Sequence, residues 1–262
     1  MENALSPLAL RHKIRNGDHS GHTSGLCEGF VQCNMVILPS DWALDFHQFC
    51  RLNPKPCPLI AVSEPGDYQL PVVGKDIDIR RDIPAYRFFE QGVLKEEIND
   101  ISHLWRDDLV VFLIGCSFSF EEALLADGLE VRNVSEGVNV PMYKTHIDCE
   151  PAGPFSGKMV VSMRPFEEKQ MPRVRQICSR FPSVHGEPIH YGSPHEIGID
   201  SIEQPDYGDA VTIKPHEAPA FWACGVTPQV ALEKAKPPFC ITHSPGCMLV
   251  TDMLNRDLAT SP

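Results

Sequence analysis

Residues 109–126 of the chain read LVVFLIGCSFSFEEALLA, a pattern that indicates a strand, a tight turn and a helix in succession. Residues 109–114 are a continuous run of β-branched, aromatic and aliphatic side chains, which is typical of a strand covered on both faces. Small residues at 115–119 predict the turn, and residues 120–126 predict the helix. A strand that leads directly into a helix is typical of α/β proteins.

On the N-terminal side of this stretch, apolar residues at helical spacing predict helices, and short β-rich runs predict strands. The predicted helices cover residues 4–16, 42–52 and 96–105, and the last of them is highly charged. The predicted strands cover residues 58–62 and 86–89.

On the C-terminal side the order of elements changes after Asp127-Gly128. Three strands at 131–134, 138–145 and 158–163 precede a helix at 167–181, and alternation returns with a strand at 220–224, a helix at 227–234 and a strand at 239–242. We therefore predict a two-part α/β fold. Residues 1–119 and 211–262 form a three-layer α/β domain, and residues 120–210 form an inserted, smaller, two-layer α+β domain.

Composition narrows the class of protein. The 262 residues are 42% hydrophobic and 22% charged, which is ordinary for a globular chain that buries its own core. The net charge is −12 and basic residues occur singly or in pairs, so nucleic acid is not the expected partner. The longest apolar run, Leu109–Cys116, is far shorter than the roughly 20 residues that span a bilayer, so we expect no membrane association.

The N-terminus and the cysteines point to the same compartment. No apolar segment follows a basic start, so the sequence predicts no secretory signal and a cytoplasmic location. The ten cysteines include no C-x-x-C pair, and most lie in apolar surroundings. We expect them to be reduced and buried. The sequence leaves a homo-oligomer open.

The turn after the 109–114 strand is the first candidate site. Ligands of α/β sheets bind beyond the carboxyl ends of strands, and a helix N-terminus favours a carboxylate. Cys116, Ser117 and Ser119 supply thiol and hydroxyl groups there. In the alternative interpretation Ser119 caps the helix and Glu122 completes a capping box. The stretch also half-resembles the G-x-S-x-G nucleophile elbow, but Ser119 stands in place of the second glycine.

A second polar cluster follows the 239–242 strand, where His243, Ser244 and Gly246 occur together. A histidine there can carry a proton near neutral pH. The alternative is a loop of hydrogen-bonded turn residues.

The third candidate site follows two strands of the middle part. Arg164 is a candidate to hold a carboxylate through two hydrogen bonds, with Tyr143 and Lys144 as neighbours. A single arginine next to a proline is more often a surface residue. Asp209 belongs to a turn that is a candidate to line the same cleft.

Three histidines, His185, His190 and His195, are the candidate metal ligands, with Asp148, Cys149 and Glu150 upstream. They lie five residues apart, which matches no standard ligand spacing. We therefore predict no metal and keep a metal site near these histidines as the alternative.

Several stretches resemble motifs of one family. They are FLIGCSFSFE (112–121), NVPMY (139–143), MRP (163–165), HG (185–186), PDYGD (205–209) and HSPG (243–246). Together they resemble the D-glutamate cyclase family, whose members include the YcsI-like hydro-lyases, and the opening of the chain resembles a free-standing bacterial-type member. The resemblance implies a two-part α/β fold and a carbon–oxygen lyase. The family reaction converts D-glutamate to 5-oxo-D-proline and water.

This reaction suggests roles for the candidate residues. The α-amine must lose a proton, one carboxyl oxygen must leave as water, and charge on the other oxygen must be stabilised. We expect His243 to carry the proton, the Cys116–Ser119 turn with Ser117 and Ser119 to hold the reacting carboxyl, and Arg164 to hold the other carboxylate. The site would then lie between the two domains. We expect a small acidic amino acid as substrate and no cofactor, because no dinucleotide or metal motif occurs.

Two other functions stay open. One is an amidase or hydrolase that uses Cys116 or Ser117 as nucleophile with His243, and it requires a covalent adduct. The other is a small-molecule sensor, which binds its ligand without turnover.

Overall fold

The computed structural model describes residues 5–260, which form two antiparallel sheets and six α-helices. The helices are α1 (Pro7–Arg15), α2 (Ser40–Leu52), α3 (Phe118–Ala126), α4 (Arg132–Glu136), α5 (Met171–Cys178) and α6 (Thr227–Ala235). The strands are β1 (Phe30–Pro39), β2 (Leu59–Val62), β3 (Tyr86–Glu90), β4 (Val93–Ile98), β5 (Leu109–Gly115), β6 (Met142–Asp148), β7 (Lys158–Glu167), β8 (His190–Tyr191), β9 (Glu217–Ala223), β10 (Cys240–His243) and β11 (Leu249–Leu254).

The first sheet has the strand order β2-β5-β1-β10-β3-β4, and β11 pairs with the first half of β1. Every pairing in it is antiparallel. The expected buried strand is β5, in which every residue is buried. It lies between β2 and β1 and pairs with β1 along its whole length, from Leu109 opposite Pro39 to Gly115 opposite Cys33.

The two faces of this sheet are covered by different kinds of structure. On one face α2 and α6 pack through buried residues that include Phe46, Phe49 and Leu232. On the other face the cover is mainly irregular chain between β2 and β3, whose buried residues include Ile77 and Ile79. Both faces are therefore buried, as expected, but the third layer of the predicted domain is largely irregular chain.

The second sheet has the order β6-β7-β9-β8. Helices α3 and α5 pack on one of its faces around Trp222. Strand β9 pairs with β7 from Val161 opposite Ala223 to Glu167 opposite Glu217. Because of this pairing the second sheet takes in chain up to residue 223, which is beyond the boundary at residue 210 that the sequence suggested.

Two predicted elements have the wrong type. Residues 96–105 were expected to be helical, but β4 pairs with β3 in a hairpin. The turn uses Gln91 and Gly92, both with positive φ, and the charged side chains of β4 are largely exposed on an edge strand. Residues 131–134 were expected to form a strand, but α4 occupies that region and ends at Gly137, which has φ of 68°.

The longest of the six helices, α2, has 13 residues. None of the helices within residues 5–260 has the length and apolar character to cross a membrane.

Candidate functional site

Two strand-to-helix turns meet at one end of the first sheet. Residues 115–117 connect β5 to α3, and residues 224–226 connect β9 to α6. Asn34 of β1 donates its side-chain N–H to the carbonyl oxygen of Gly115 over 3.2 Å. A Cβ atom on Gly225 would lie 2.7 Å from Asn34 Nδ2 and 3.7 Å from the Gly115 oxygen. Asn34 therefore joins the two turns, and only glycine fits at position 225 without displacing it.

The segment that precedes β8 packs against the first turn. A Cβ atom on Gly115 would lie 2.5 Å from the carbonyl oxygen of Ser183, so this close approach requires glycine. His185 follows with φ of 84°, an uncommon backbone conformation for histidine, and is 2% exposed. Its Nδ1 lies 2.7 Å from the Lys55 carbonyl, which can only accept, so Nδ1 carries a proton. Burial lowers the pKa of His185 to about 4, and the charge of Arg164 adds to this effect.

A buried ion pair lies behind the first turn. Arg164 of β7 is 0% exposed, and its Nε donates to Glu121 Oε1 of α3 over 2.9 Å. Nη2 also donates to Glu121 and, over 3.0 Å, to Ser117 Oγ. Nη1 donates to Ser162 Oγ over 3.0 Å. The Ser117 hydroxyl in turn donates to Glu121 over 3.2 Å. The pair therefore connects the second sheet to the turn after β5.

This arrangement changes the role expected for Arg164. Its guanidinium lies 5.1 Å from the ring centre of Phe120 and 5.3 Å from that of Trp222. All three guanidinium nitrogens donate to protein oxygens. Arg164 therefore does not hold a substrate carboxylate here; it neutralises Glu121 and positions Ser117.

Each of the two turns contributes one partly exposed thiol, Cys116 and Cys224. Burial raises the pKa of Cys116 to about 12 and that of Cys224 to about 11. The backbone N–H groups of Phe118 and Val226 oppose these shifts only in part. Both groups are consequently thiols, not thiolates, at neutral pH. Cys224 and Asn34 were not predicted from sequence, because only the fold brings them to the first turn.

His243 lies apart from Ser117. It ends β10, on the far side of β1 from β5, and two interstrand spacings amount to about 9.5 Å. Its Nδ1 accepts the Met35 N–H over 3.1 Å, while the Met35 carbonyl oxygen is farther, at 3.4 Å. Burial lowers the pKa of His243 to about 4. The imidazole is therefore neutral at pH 7 with its proton on Nε2, so the expected titration near neutral pH is replaced by one near 4.

Three more predicted residues do not face the meeting turns. Ser119 lies inside the first turn of α3 and donates to Asn255 Oδ1 over 2.6 Å, so it does not cap the helix. Ser244 is buried, and its backbone N–H donates to the Ala85 carbonyl over 2.9 Å. The Gly246 carbonyl accepts the backbone N–H of Thr23 over 2.9 Å. These contacts hold loops together.

The register of the second sheet separates Tyr143 and Lys144 from Arg164. Tyr143 packs with Phe221 on the face opposite Arg164, and its hydroxyl donates to the Ile202 carbonyl over 2.6 Å. Lys144 is exposed. Asp209 is exposed and accepts the Asn139 N–H over 3.1 Å. None of the three accompanies Arg164 as expected: Tyr143 lies on the other face of the sheet, Lys144 pairs with Val160 four positions before Arg164, and Asp209 lies in a loop.

The three candidate metal ligands are dispersed. His185 is bonded to Lys55, and His190 stacks on Phe221 with ring centres 5.8 Å apart. His195 is exposed in a short 3₁₀ helix. No group of three or more histidine, cysteine, aspartate or glutamate side chains within residues 5–260 is arranged to hold a metal ion.

Comparison with known proteins gives a consistent set of relatives. The family model for D-glutamate cyclase matches residues 110–252. A protein of Bordetella petrii named "Putative hydro-lyase" is 59% identical over 249 residues, which are 95% of this chain and 94% of that one. A Rhizobium johnstonii protein with the same designation is 58% identical over 258 residues, 98% of this chain and 96% of that one.

A solved structure, that of a nitrogen repressor-like protein from Methanococcus jannaschii, aligns with 90% of this chain and 92% of its own, with a TM-score of 0.39 and 9% identity. The segment that matches the family model contains both turns, both thiols and the pair of Arg164 and Glu121. Asn34 lies outside that segment.

Proposed function

Because the chain belongs to the D-glutamate cyclase family, we propose that it is a hydro-lyase that acts on a small acidic amino acid at the two meeting turns. The first reaction to test is conversion of D-glutamate to 5-oxo-D-proline and water. The observation that supports this location is the contact of the two turns through Asn34. Both turns lie within the segment that the family model matches, and Asn34 lies outside it.

The chemistry sets clear demands on the site. The amine nitrogen forms a bond to the side-chain carboxyl carbon, and one carbon–oxygen bond breaks. The two protons that the ammonium loses leave with that oxygen as water. Because the reaction is a balanced loss of water, it needs no oxidant, reductant or second substrate. The protein must orient the amine and stabilise the negative charge that grows on the remaining oxygen.

The groups at the meeting turns suit the second demand. Helices α3 and α6 both begin there, and helix N-termini favour a negatively charged group. The partly exposed Asn34 amide and the Ser117 hydroxyl are hydrogen-bonding groups at the same place. We propose that these groups bind the reacting carboxyl. Together with Cys116 and Cys224 they are called the turn site.

The amidase or hydrolase alternative has weaker support. Its nucleophile needs a base within hydrogen-bond reach, but the one carboxylate that Ser117 Oγ bonds within residues 5–260, Glu121, is already paired with Arg164. A thiol with a pKa of about 12, as for Cys116, is a poor nucleophile at neutral pH. The sensor alternative uses the same site, and only a measurement of turnover distinguishes it from the lyase.

The direct test is a screen of D- and L-glutamate, D- and L-aspartate and 5-oxo-D-proline with purified protein. Mass spectrometry would follow the loss or gain of water. We expect D-glutamate to be dehydrated without any added cofactor, and L-glutamate to react more slowly. A requirement for added metal after dialysis against chelator would contradict the cofactor-free reaction.

Two other results would change the conclusion. Binding of an acidic amino acid without loss of water would support the sensor. A covalent adduct on Cys116 or Ser117, detected as an intact-protein mass shift during reaction, would support the hydrolase.

A further inference from the structure

A separate cavity lies between α6 and the neighbouring strands β3 and β10 of the first sheet. Its volume is about 60 Å³. The polar residues that line it are Arg87, Gln229, Glu233, Thr242 and His243. One water needs about 10–15 Å³ on this scale, so the space accepts roughly four to six water-sized groups. It fits one carboxylate with a carbon or two attached.

Two hydrogen-bond donors that line this cavity have no partner within residues 5–260. His243 is 4% exposed, and its Nδ1 already accepts the Met35 N–H. The proton of the neutral ring is therefore on Nε2, and no hydrogen bond within residues 5–260 uses that nitrogen. Thr242 is 6% exposed, and its hydroxyl also makes no hydrogen bond with that part of the chain. Both donor atoms are open to the cavity and not enclosed by protein, so they are free to donate to a molecule that enters it.

The charged side chains of the cavity favour an anion. Arg87 uses its Nε to donate to Glu97 Oε2 over 2.9 Å. Its two terminal nitrogens make no hydrogen bond to residues 5–260, so the donor pair that suits a carboxylate is unused. Gln229 contributes an amide whose side chain is likewise without a partner there. Glu233, the acidic member of the lining, is an exposed residue, so water screens its charge.

We infer that this cavity binds a small carboxylate, with Arg87 and the unpartnered donors of Thr242 and His243 as its ligands. The carboxylate accepts from His243 Nε2, the Thr242 hydroxyl and the guanidinium of Arg87. Binding requires no reaction, so the inference does not depend on the proposed lyase activity. The carboxylate has two sources to separate, namely the substrate or product of that activity and an unrelated small acid.

The primary experiment is calorimetric titration of the purified protein with acetate, and then with D-glutamate. Three variants are compared with the wild type: Arg87→Met, Thr242→Val and the control Arg173→Met. The control removes another half-exposed arginine, which is paired with Asp127 and does not line the cavity. We expect acetate to bind the wild type and Arg173→Met equally. Arg87→Met should weaken binding at least tenfold, and Thr242→Val, which keeps the side-chain shape, about fivefold or more.

The result identifies the source of the carboxylate as well. A D-glutamate KM that rises in parallel with the acetate Kd in Arg87→Met assigns the cavity to the substrate. A KM that stays constant while the acetate Kd rises assigns it to a separate acid. If acetate binds but no acidic amino acid is turned over, the proposed function is contradicted and the inferred carboxylate site is not. Acetate binding that is absent, or equal in Arg87→Met and Arg173→Met with both melting as the wild type does, would overturn the inference.

Discussion

The turn site and the cavity each lie close to a buried histidine, and the two histidines hold their protons on opposite nitrogens. His185, next to the turn site, donates from Nδ1 to a carbonyl, so its Nε2 is an acceptor. His243, in the cavity, accepts an N–H at Nδ1, so its Nε2 is a donor. Burial lowers the pKa of both to about 4. One backbone group beside each ring therefore sets what the histidine can do.

The arginines of the two regions differ in the same way. Arg164 is fully buried, and its charge is used within the protein by Glu121. Arg87 is partly exposed, and the two terminal nitrogens of its guanidinium make no hydrogen bond within residues 5–260. An arginine of the first kind maintains structure, while one of the second kind can receive a ligand. Residue type alone does not separate these roles, because burial and partners determine them.

The largest expected effect is on stability and concerns Arg164. Arg164→Met leaves the Glu121 carboxylate buried without its charged partner, which costs about 3–5 kcal/mol of unfolding free energy. Arg87→Met breaks a solvent-exposed pair and should cost less than about 1 kcal/mol. Urea unfolding of both variants measures the difference. The double variant Arg164→Met/Glu121→Gln should recover part of the loss, and equal losses in Arg164→Met and Arg87→Met would contradict the comparison.

The next effect is on turnover and concerns Ser117. If the Ser117 hydroxyl turns from Glu121 to the reacting carboxyl when substrate binds and stabilises its charge, Ser117→Ala should lower kcat by roughly 10²–10³, the usual cost of losing one such donor. KM should change little, because the interaction strengthens in the transition state. Ser119→Ala is the matched control, since that hydroxyl bonds Asn255. An unchanged kcat in Ser117→Ala would remove the turn site from the mechanism.

The buried histidines predict an acid-sensitive fold. The histidine pKa is about 6.5 in the unfolded chain and about 4 here, so between these pH values the unfolded chain binds protons that the native protein does not. Stability should therefore fall as pH falls from about 6.5 to about 4, by up to about 1.4 kcal/mol per pH unit for each histidine.

Comparing pH slopes isolates each histidine from the carboxylates that also titrate. Unfolding free energies of the wild type, His185→Gln and His243→Asn at several pH values between about 7 and 5 give the slopes. In each variant the slope of unfolding free energy against pH should decrease by the contribution of the substituted histidine. A slope that neither substitution reduces would show that these rings are not held neutral by the fold.

The sequence predicted the elements whose pattern is local. The strand at β5, the turn after it and helix α3 follow from an uninterrupted apolar run and small residues. The predicted helix at 96–105 was wrong because hairpin pairing with β3 overrides the helical propensity of a charged segment. The boundary at residue 210 missed β9, because pairing with β7 is a long-range contact that no local pattern records.

The site shows the same limit. Cys116 and Ser117 were selected from the turn itself, and the structure places both at the meeting turns. Arg164 was selected for its charge, but a partner 43 positions away, Glu121, already uses it. Asn34 was missed because nothing near it in sequence suggests a site. For Cys224 the available signal was the recurrence of a neighbouring glycine and cysteine in two strand-to-helix turns.

The smallest expected effect is on the reactivity and function of Cys116. Since burial raises its pKa to about 12, and that of Cys224 to about 11, neither is a thiolate near neutral pH. Both should react with iodoacetamide far more slowly than a free thiol at pH 7.

Cys116→Ala should therefore keep turnover within about tenfold of the wild type, because the proposed cyclisation forms no acyl-enzyme. Kinetics and intact-protein mass measured on the same preparation test this. Cys116→Ser is the matched control, since it keeps a polar group of similar size. If Cys116→Ala were inactive and the wild type accumulated an adduct on that sulfur, the turn site would belong to a covalent hydrolase. The turn site would then supply the nucleophile, and the cavity would remain a site for a carboxylate.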